Sequence, residues 1–219
     1  MRPHVFERNP SSNLITERVL NVFGDGLRLH HAFSRQALSK DKFEFTLETA
    51  LNRGGFSAKL EKNRTNPGRD ITVNGVHMSL KTEAAANIRE NLYHISKFME
   101  LGKGAWDISV QRDKFFAHMS QYSRILQFRC IVQGPDKYHY QLIEIPKSLL
   151  EESLSADIEI CEDSEQTPKP AYVRVLDSDG TEKFALYFDG GTERKLQIKR
   201  IKQKYCIFHA SWKFDSATF

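Results

Sequence analysis

The stretch GRDITVNGVHMSLKTEAA, residues 68–85, carries the strongest local instruction in the chain. Asn74-Gly75 lies between two alternating runs. A two-residue type I′ hairpin loop needs positive φ at both positions, and Asn-Gly tolerates it. With that loop Val73 lies opposite Val76, Thr72 opposite His77, Ile71 opposite Met78 and Asp70 opposite Ser79. Side chains alternate between the faces of a strand. One face is then Ile71, Val73, Val76, Met78 and Leu80, all apolar. The other is Asp70, Thr72, His77, Ser79, Lys81 and, if the strand continues, Glu83. A slip of one residue would bury the polar set, so the register is well specified. Opposed Cβ atoms lie roughly 4.5–5.5 Å apart. Asp70, Ser79 and Lys81 therefore converge on one small patch.

Upstream, Leu14, Val19 and Leu20 have near-helical spacing, and Phe23-Gly24-Asp25-Gly26 reads as their stop. A second helix is expected over residues 27–38. A third begins at Ser39, with Asp41 in its first turn. Its apolar stripe is Phe43, Leu47, Ala50 and Leu51, and Gly54-Gly55 ends it. Downstream, residues 87–106 read as a helix with Leu92, Ile95, Phe98 and Met99 inward, and residues 112–126 as another. QFRCIVQ and YHYQLIEI read as strands around the turn GPDK, and Pro146 opens a short helix. Residues 162–170 form a polar, Pro-containing loop. Beyond them AYVRVL, KFALYF, KLQIKRI and YCIFHASWKF alternate with turns, as an antiparallel meander does.

The fold class expected is α/β (α+β), a central mixed sheet flanked by helices with a C-terminal β-meander. The 219 residues suit one domain. Its parts are a helical segment over 1–38, a core over 39–145 and the meander over 170–214. A hydrophobic content of 40 % supports a real core, and a formal charge of +4 suits a polyanionic partner. No window holds 18 consecutive apolar residues, and MRPHVFERNPSSN lacks the apolar core of a signal peptide. Cys130, Cys161 and Cys206 are odd in number and far apart, which argues against a disulfide framework and a zinc cluster. A cytoplasmic protein with reduced thiols, of bacterial or archaeal origin, is expected. His30-His31, His94, His118, His139 and His209 show no metal-ligand spacing.

The hairpin patch has a chemical use. A carboxylate such as Asp70 is a hard oxygen ligand for Mg²⁺, and the Leu80 carbonyl offers a second oxygen. Lys81 is placed to orient or help deprotonate an attacking water, or to meet phosphate charge, beside a metal that polarises the phosphoryl oxygen. Asp70, eight intervening residues, then Ser79-Leu80-Lys81 resembles the PD-(D/E)XK nuclease core found in many type II restriction endonucleases. The resemblance covers residues 39–145: helix, hairpin, helix, strand. Such enzymes usually carry Asp or Glu where this chain has Ser79, and Pro67 lies three residues before Asp70 rather than beside it. Members with a Ser-X-Lys motif recruit the missing carboxylate from a neighbouring helix.

Glu48 is the first choice for that carboxylate, Glu83 the second and Glu90 the third. The resemblance implies a Mg²⁺-dependent, sequence-specific endonuclease acting on double-stranded DNA. Its catalytic set is Asp70, Lys81, Ser79 and Glu48, and its metal ligands come from Asp70, Leu80, Glu48 and Glu83. Arg64 and Arg69, with Lys59 and Lys62, offer a phosphate track. So does the basic run containing Arg194, Lys195, Lys199, Arg200, Lys202 and Lys204, which equally suits an edge strand guarded against aggregation. A palindromic site is read by a two-fold dimer, so a homodimer is expected. The alternatives are a structure-specific repair or recombination nuclease and a non-catalytic DNA-binding protein with a decayed site.

Overall fold

The structure, a computed structural model, describes residues 5–61, 68–84, 88–134 and 136–215. The first helix, α1 (Glu17–Phe33), starts at Thr16, whose side chain accepts the Val19 N–H. It buries Val19, Leu20, Phe23 and Leu27. The expected break at residues 23–26 does not occur, and the helix runs through it. Gly24 and Gly26 serve packing instead. A Cβ on Gly24 would lie 2.2 Å from the Phe6 ring, and one on Gly26 2.7 Å from Thr46 Cγ2. Helix α2 (Lys40–Arg53) lies against α1 and buries Phe43, Leu47, Ala50 and Leu51 as its spacing predicts.

These helices cover one face of a seven-stranded mixed sheet. Its strands are β1 (Val5–Arg8), β2 (Ala58–Leu60), β3 (Ile71–Val73), β4 (Val76–Glu83), β6 (Arg124–Gly134), β7 (Lys137–Glu144) and β12 (Ile207–Asp215), in the order β1-β12-β7-β6-β4-β3-β2. The β3–β4 hairpin has the expected register, with Ile71 opposite Met78 and Val73 opposite Val76. Strands β4 and β6 are the parallel pair, and β6–β7 is antiparallel. Alternation along β6 and β7 divides the core. Leu126, Phe128, Tyr140 and Leu142 face α1 and α2, with Trp212 of β12. Phe43 stacks on Phe128 at 4.5 Å, and Phe23 lies 4.6 Å from Trp212. Truncating Phe128 to alanine in such a cluster costs about 3–5 kcal/mol.

Ile125, Ile143 and Ile145 point the other way, into a second core. There they meet α3 (Ile108–Met119), α4 (Lys147–Glu151) and a five-stranded antiparallel sheet. That sheet runs β5 (Leu92–Glu100), β11 (Lys195–Lys202), β10 (Glu182–Asp189), β9 (Ala171–Leu176), β8 (Ile158–Ile160). The expected C-terminal meander is therefore divided. Strands β9–β11 form it, whereas β12 crosses to the first sheet and pairs with β7.

Residues 87–106 are not the expected helix: β5 occupies their middle and pairs with β11. The pairing slips between Leu196↔Met99 and Ile198↔Ile95, so β5 carries extra residues there. Such a bulge lets Ile95 and Phe98, three apart, both face inward, which imitates helical spacing. A buried arginine fixes the strand's start. Arg129 donates to the carbonyls of Arg89, Glu90 and Leu92, and its guanidinium lies 4.3 Å from the Tyr93 ring centroid.

Candidate active site

Asp70 sits just before β3, at the point where the hairpin opens. Its N–H donates to the Met78 carbonyl at 3.0 Å, and its own carbonyl accepts the Glu61 N–H. The carboxylate therefore has a fixed base. Its Oδ2 accepts from Leu80 N at 2.6 Å and from Ser79 Oγ at 3.2 Å. Its Oδ1 lies 3.2 Å from Lys40 Nζ. The hairpin thus brings Asp70, Ser79 and Leu80 together as expected, with Ser79 fully buried.

The Lys81 end of the hairpin's polar face is covered by Phe98 of β5, while Thr72 and His77 stay part-exposed. Lys81 Nζ lies 5.1 Å from the Phe98 ring centroid. Burial pulls the Lys81 ammonium down to about 8, against an opposing pull from Asp70. His118, which packs edge-on against Phe98 and Tyr122, is lowered to about 4, first by burial and then by Lys81. His118 Nε2 and Tyr122 Oη are buried without a hydrogen-bond partner among the described residues. Gly68, at φ +85°, packs its Cα onto both rings.

The helical acid beside Asp70 is Glu44. Lys40 Nζ lies 3.3 Å from Glu44 Oε1, so one ammonium joins the two carboxylates. Burial opposes charge on Lys40, but Asp70 and Glu44 together hold its ammonium above the ordinary lysine value. Burial raises the Glu44 carboxyl, and of its charged neighbours Lys40 lowers it while Asp70 raises it further. Glu48 lies one turn along the same flank of α2, where its Oε1 accepts the Leu60 N–H at 2.7 Å. Glu83 is taken up by Arg129, at 2.6 Å, and by Gln127. Glu90 lies 3.7 Å from His139 Nδ1. His77 pairs with Thr72 across the hairpin at 2.8 Å.

The cationic residues fare unequally. Arg69 donates to Gln121. Arg200 is held by both oxygens of Glu182, Lys202 donates to Thr181, Lys204 pairs with Asp177, and Lys195 pairs with Glu193. Arg194 donates to the Gly104 carbonyl. Lys199 stands over the ring of Tyr187 at 3.5 Å, beside Tyr172. Lys59 is exposed on β2; Lys62 and Arg64 lie outside the described residues.

The sequence pattern of the SmaI family of type II site-specific deoxyribonucleases matches residues 1–214. The chain belongs to that family. It is also 46 % identical over 204 residues to the type II restriction enzyme SmaI of Serratia marcescens, covering 93 % of this chain and 83 % of that enzyme. No solved structure matches. Within this SmaI-family chain, Lys40 and Glu44 are the neighbours of Asp70 that sequence reasoning missed. The signal was present: residues 40, 44 and 48 are spaced i, i+4, i+8 and share one flank of a helix. The spacing alone does not say which turn of that flank meets Asp70. No helix among the described residues is long and apolar enough to cross a membrane.

Proposed function

We propose that the chain cuts double-stranded DNA at a specific sequence by Mg²⁺-dependent hydrolysis, from a PD-(D/E)XK-type centre with the Ser-X-Lys variant. The observation that carries this reading is the convergence of Asp70, Glu44, the Leu80 backbone and Lys81. Among the described residues no cluster of three or more His, Cys, Asp or Glu forms a ready metal cage. Mg²⁺ does not require one, since it keeps several waters and takes one or two carboxylates. The residues present fit it. Lys40 already holds a positive charge between Asp70 and Glu44, as a bridging cation would. A strand residue aims its N–H and C=O toward the same side. Leu80 donates its N–H to Asp70, so its carbonyl faces that side too. A bound divalent ion supplies Lewis-acid stabilisation of phosphoryl charge and lowers the pKa of its water.

The protein groups then divide the work. Asp70, Glu44 and the Leu80 carbonyl would hold the ion. Ser79, where the family resemblance expects an acid, steadies Asp70 through a hydrogen bond. Lys81, whose ammonium burial brings down to about 8, receives the proton of the attacking water and orients it toward phosphorus. Arg69, Lys59 and Lys199 meet flanking phosphates. Two copies act together, one on each strand of a two-fold site.

The test is plasmid digestion. Discrete fragments are expected with Mg²⁺, and intact supercoils with chelator. Asp70→Ala and Lys81→Ala should each abolish cutting while specific duplex binding persists. Normal cutting by both variants would overturn the assignment.

A further inference from the structure

Lys40 stands where helix stability would not put it. It is the first residue of α2, directly after the N-cap Ser39. The first turn of a helix carries partial positive charge and disfavours a cation. Its pairing with Glu44 also runs lysine first, the weaker order for an i, i+4 pair. What holds the ammonium is the pair of carboxylates, Asp70 Oδ1 at 3.2 Å and Glu44 Oε1 at 3.3 Å. The two oxygens of Asp70 are divided between tasks. Oδ2 accepts from the Leu80 N–H and the Ser79 hydroxyl, and Oδ1 faces Lys40. A cation that approaches Asp70 from the helix side therefore meets an oxygen that already carries one. The Lys40 side chain is 46 % exposed, against 19 % for Asp70 and 20 % for Glu44. The carboxylates are confined, whereas the ammonium has a way out to water.

We propose that Lys40 is a tethered stand-in for the divalent ion: it bridges Asp70 and Glu44 in the ion's place and swings out when the ion takes the same two carboxylates. The inference rests on the metal reading above and adds a built-in competitor to it. An ammonium and a divalent ion do not share these oxygens, because like charges a few ångströms apart repel strongly where water is scarce. The exchange has a definite direction. Lys40 offers one positive charge to two carboxylates, and the divalent ion offers two, so the ion prevails once its concentration is high enough. The flexible four-carbon stem of lysine lets the ammonium withdraw while the backbone of α2 stays in place. Lys40 thus has two effects on the site. It keeps two confined carboxylates from facing each other bare, so their spacing is set in advance. It also makes the ion bind more weakly than it would to the bare pair.

The experiment is titration of the full chain, without DNA, with Mn²⁺, which prefers the same oxygen ligands as Mg²⁺ and whose free form is read by electron paramagnetic resonance. Asp70→Asn identifies the binding that belongs to this site. If Lys40 occupies the carboxylates about nine-tenths of the time, Lys40→Met should tighten that binding about tenfold. Lys40→Gln, a second neutral variant, should show the same gain. Lys40→Arg, which keeps the charge, should bind no tighter than the parent. The unfolding midpoint gives an independent readout. In chelator Lys40→Met should melt below the parent, and Mg²⁺ should raise its midpoint by more than it raises the parent's. Equal Mn²⁺ affinity in the parent and the neutral variants, with binding still lost in Asp70→Asn, would overturn the stand-in role and leave the metal reading intact. A gain in Lys40→Arg equal to that in Lys40→Met would overturn it too, since charge would then not be the cause. Mn²⁺ binding left unchanged by both Asp70→Asn and Glu44→Gln, or absent from the parent and the neutral variants alike, would end both readings.

Discussion

Lys40 reaches Asp70 at 3.2 Å across thirty residues of sequence, and the same ammonium lies 3.3 Å from Glu44. That contact ties the second helix to the mouth of the hairpin. It also separates two glutamates that the sequence presents as near equivalents.

Glu44→Gln should lower single-turnover cleavage by a hundredfold or more, because it removes a carboxylate from the proposed metal position. Glu48→Ala should leave cleavage within a few-fold of the parent. It orphans the Leu60 N–H instead and so costs about 1 kcal/mol of stability. Parallel cleavage kinetics and urea unfolding check both. The reverse pattern would return the helical ligand to Glu48.

Lys81 makes stability and activity depend on pH in a defined window. Its folded value of about 8 lies below the ordinary 10.5. Below pH 8 the folded protein thus carries a charged, desolvated amine at full cost. Between about 8 and 10.5 the folded state gives up the proton first, and that cost disappears as pH rises. Lys81→Met should therefore be more stable than the parent near pH 6–7, by on the order of 3 kcal/mol at most. The advantage should shrink toward pH 10. The parent's cleavage rate should climb with pH up to about 8 and then level. A rate that is flat from pH 6 to 8 would leave Lys81 a phosphate contact rather than a proton acceptor.

Arg129 is fully buried and fastens β5 to the first sheet. Arg129→Met removes the cation paired with the largely buried Glu83 and leaves it only the weaker Gln127 amide contact, which costs about 3–5 kcal/mol. Adding Glu83→Gln should recover part of that loss. Denaturant midpoints of the two single variants and the double variant measure the coupling, and simple additivity would contradict the pairing.

Among the basic residues near the end of the chain, Lys199 and Arg200 should behave differently. Arg200 has its charge spent on Glu182, whereas Lys199 rests on tyrosine rings. If Lys199 neutralises one phosphate, Lys199→Gln should reduce the salt slope of duplex binding by about one. Arg200→Gln should leave that slope unchanged. Titrations of a short specific duplex at several salt concentrations check this.

Much of the fold was legible where local chemistry dictates structure. Asn74-Gly75 determines a turn, the turn determines a register, and the register brings Asp70 to Ser79. Phe43, Leu47, Ala50 and Leu51 likewise expose the buried side of α2. Two features lay beyond local reading. Strand β5 owes its conformation to a bulge and to Arg129, thirty-odd residues further on, and its inward residues have helical spacing. The glycines at 24 and 26 look like a helix stop, yet they are places where Phe6 and Thr46 press close. The placing of Glu44 and Glu48 relative to Asp70 was not legible for a related reason. Both lie on one flank of α2, and only the position of Asp70 and of the Leu60 N–H tells them apart.

Strand β12 is made after every other strand, yet it is inserted between β1 and β7 and places Trp212 beneath α1. A nascent chain extended only as far as Lys202 lacks the strand that pairs with β1 and a wall of the aromatic cluster that supports α2. Helix α2 therefore gains its full aromatic support only once synthesis has passed the second sheet entirely. Ribosome-bound intermediates of a chain built this way carry the β3–β4 hairpin before the scaffold behind it is complete.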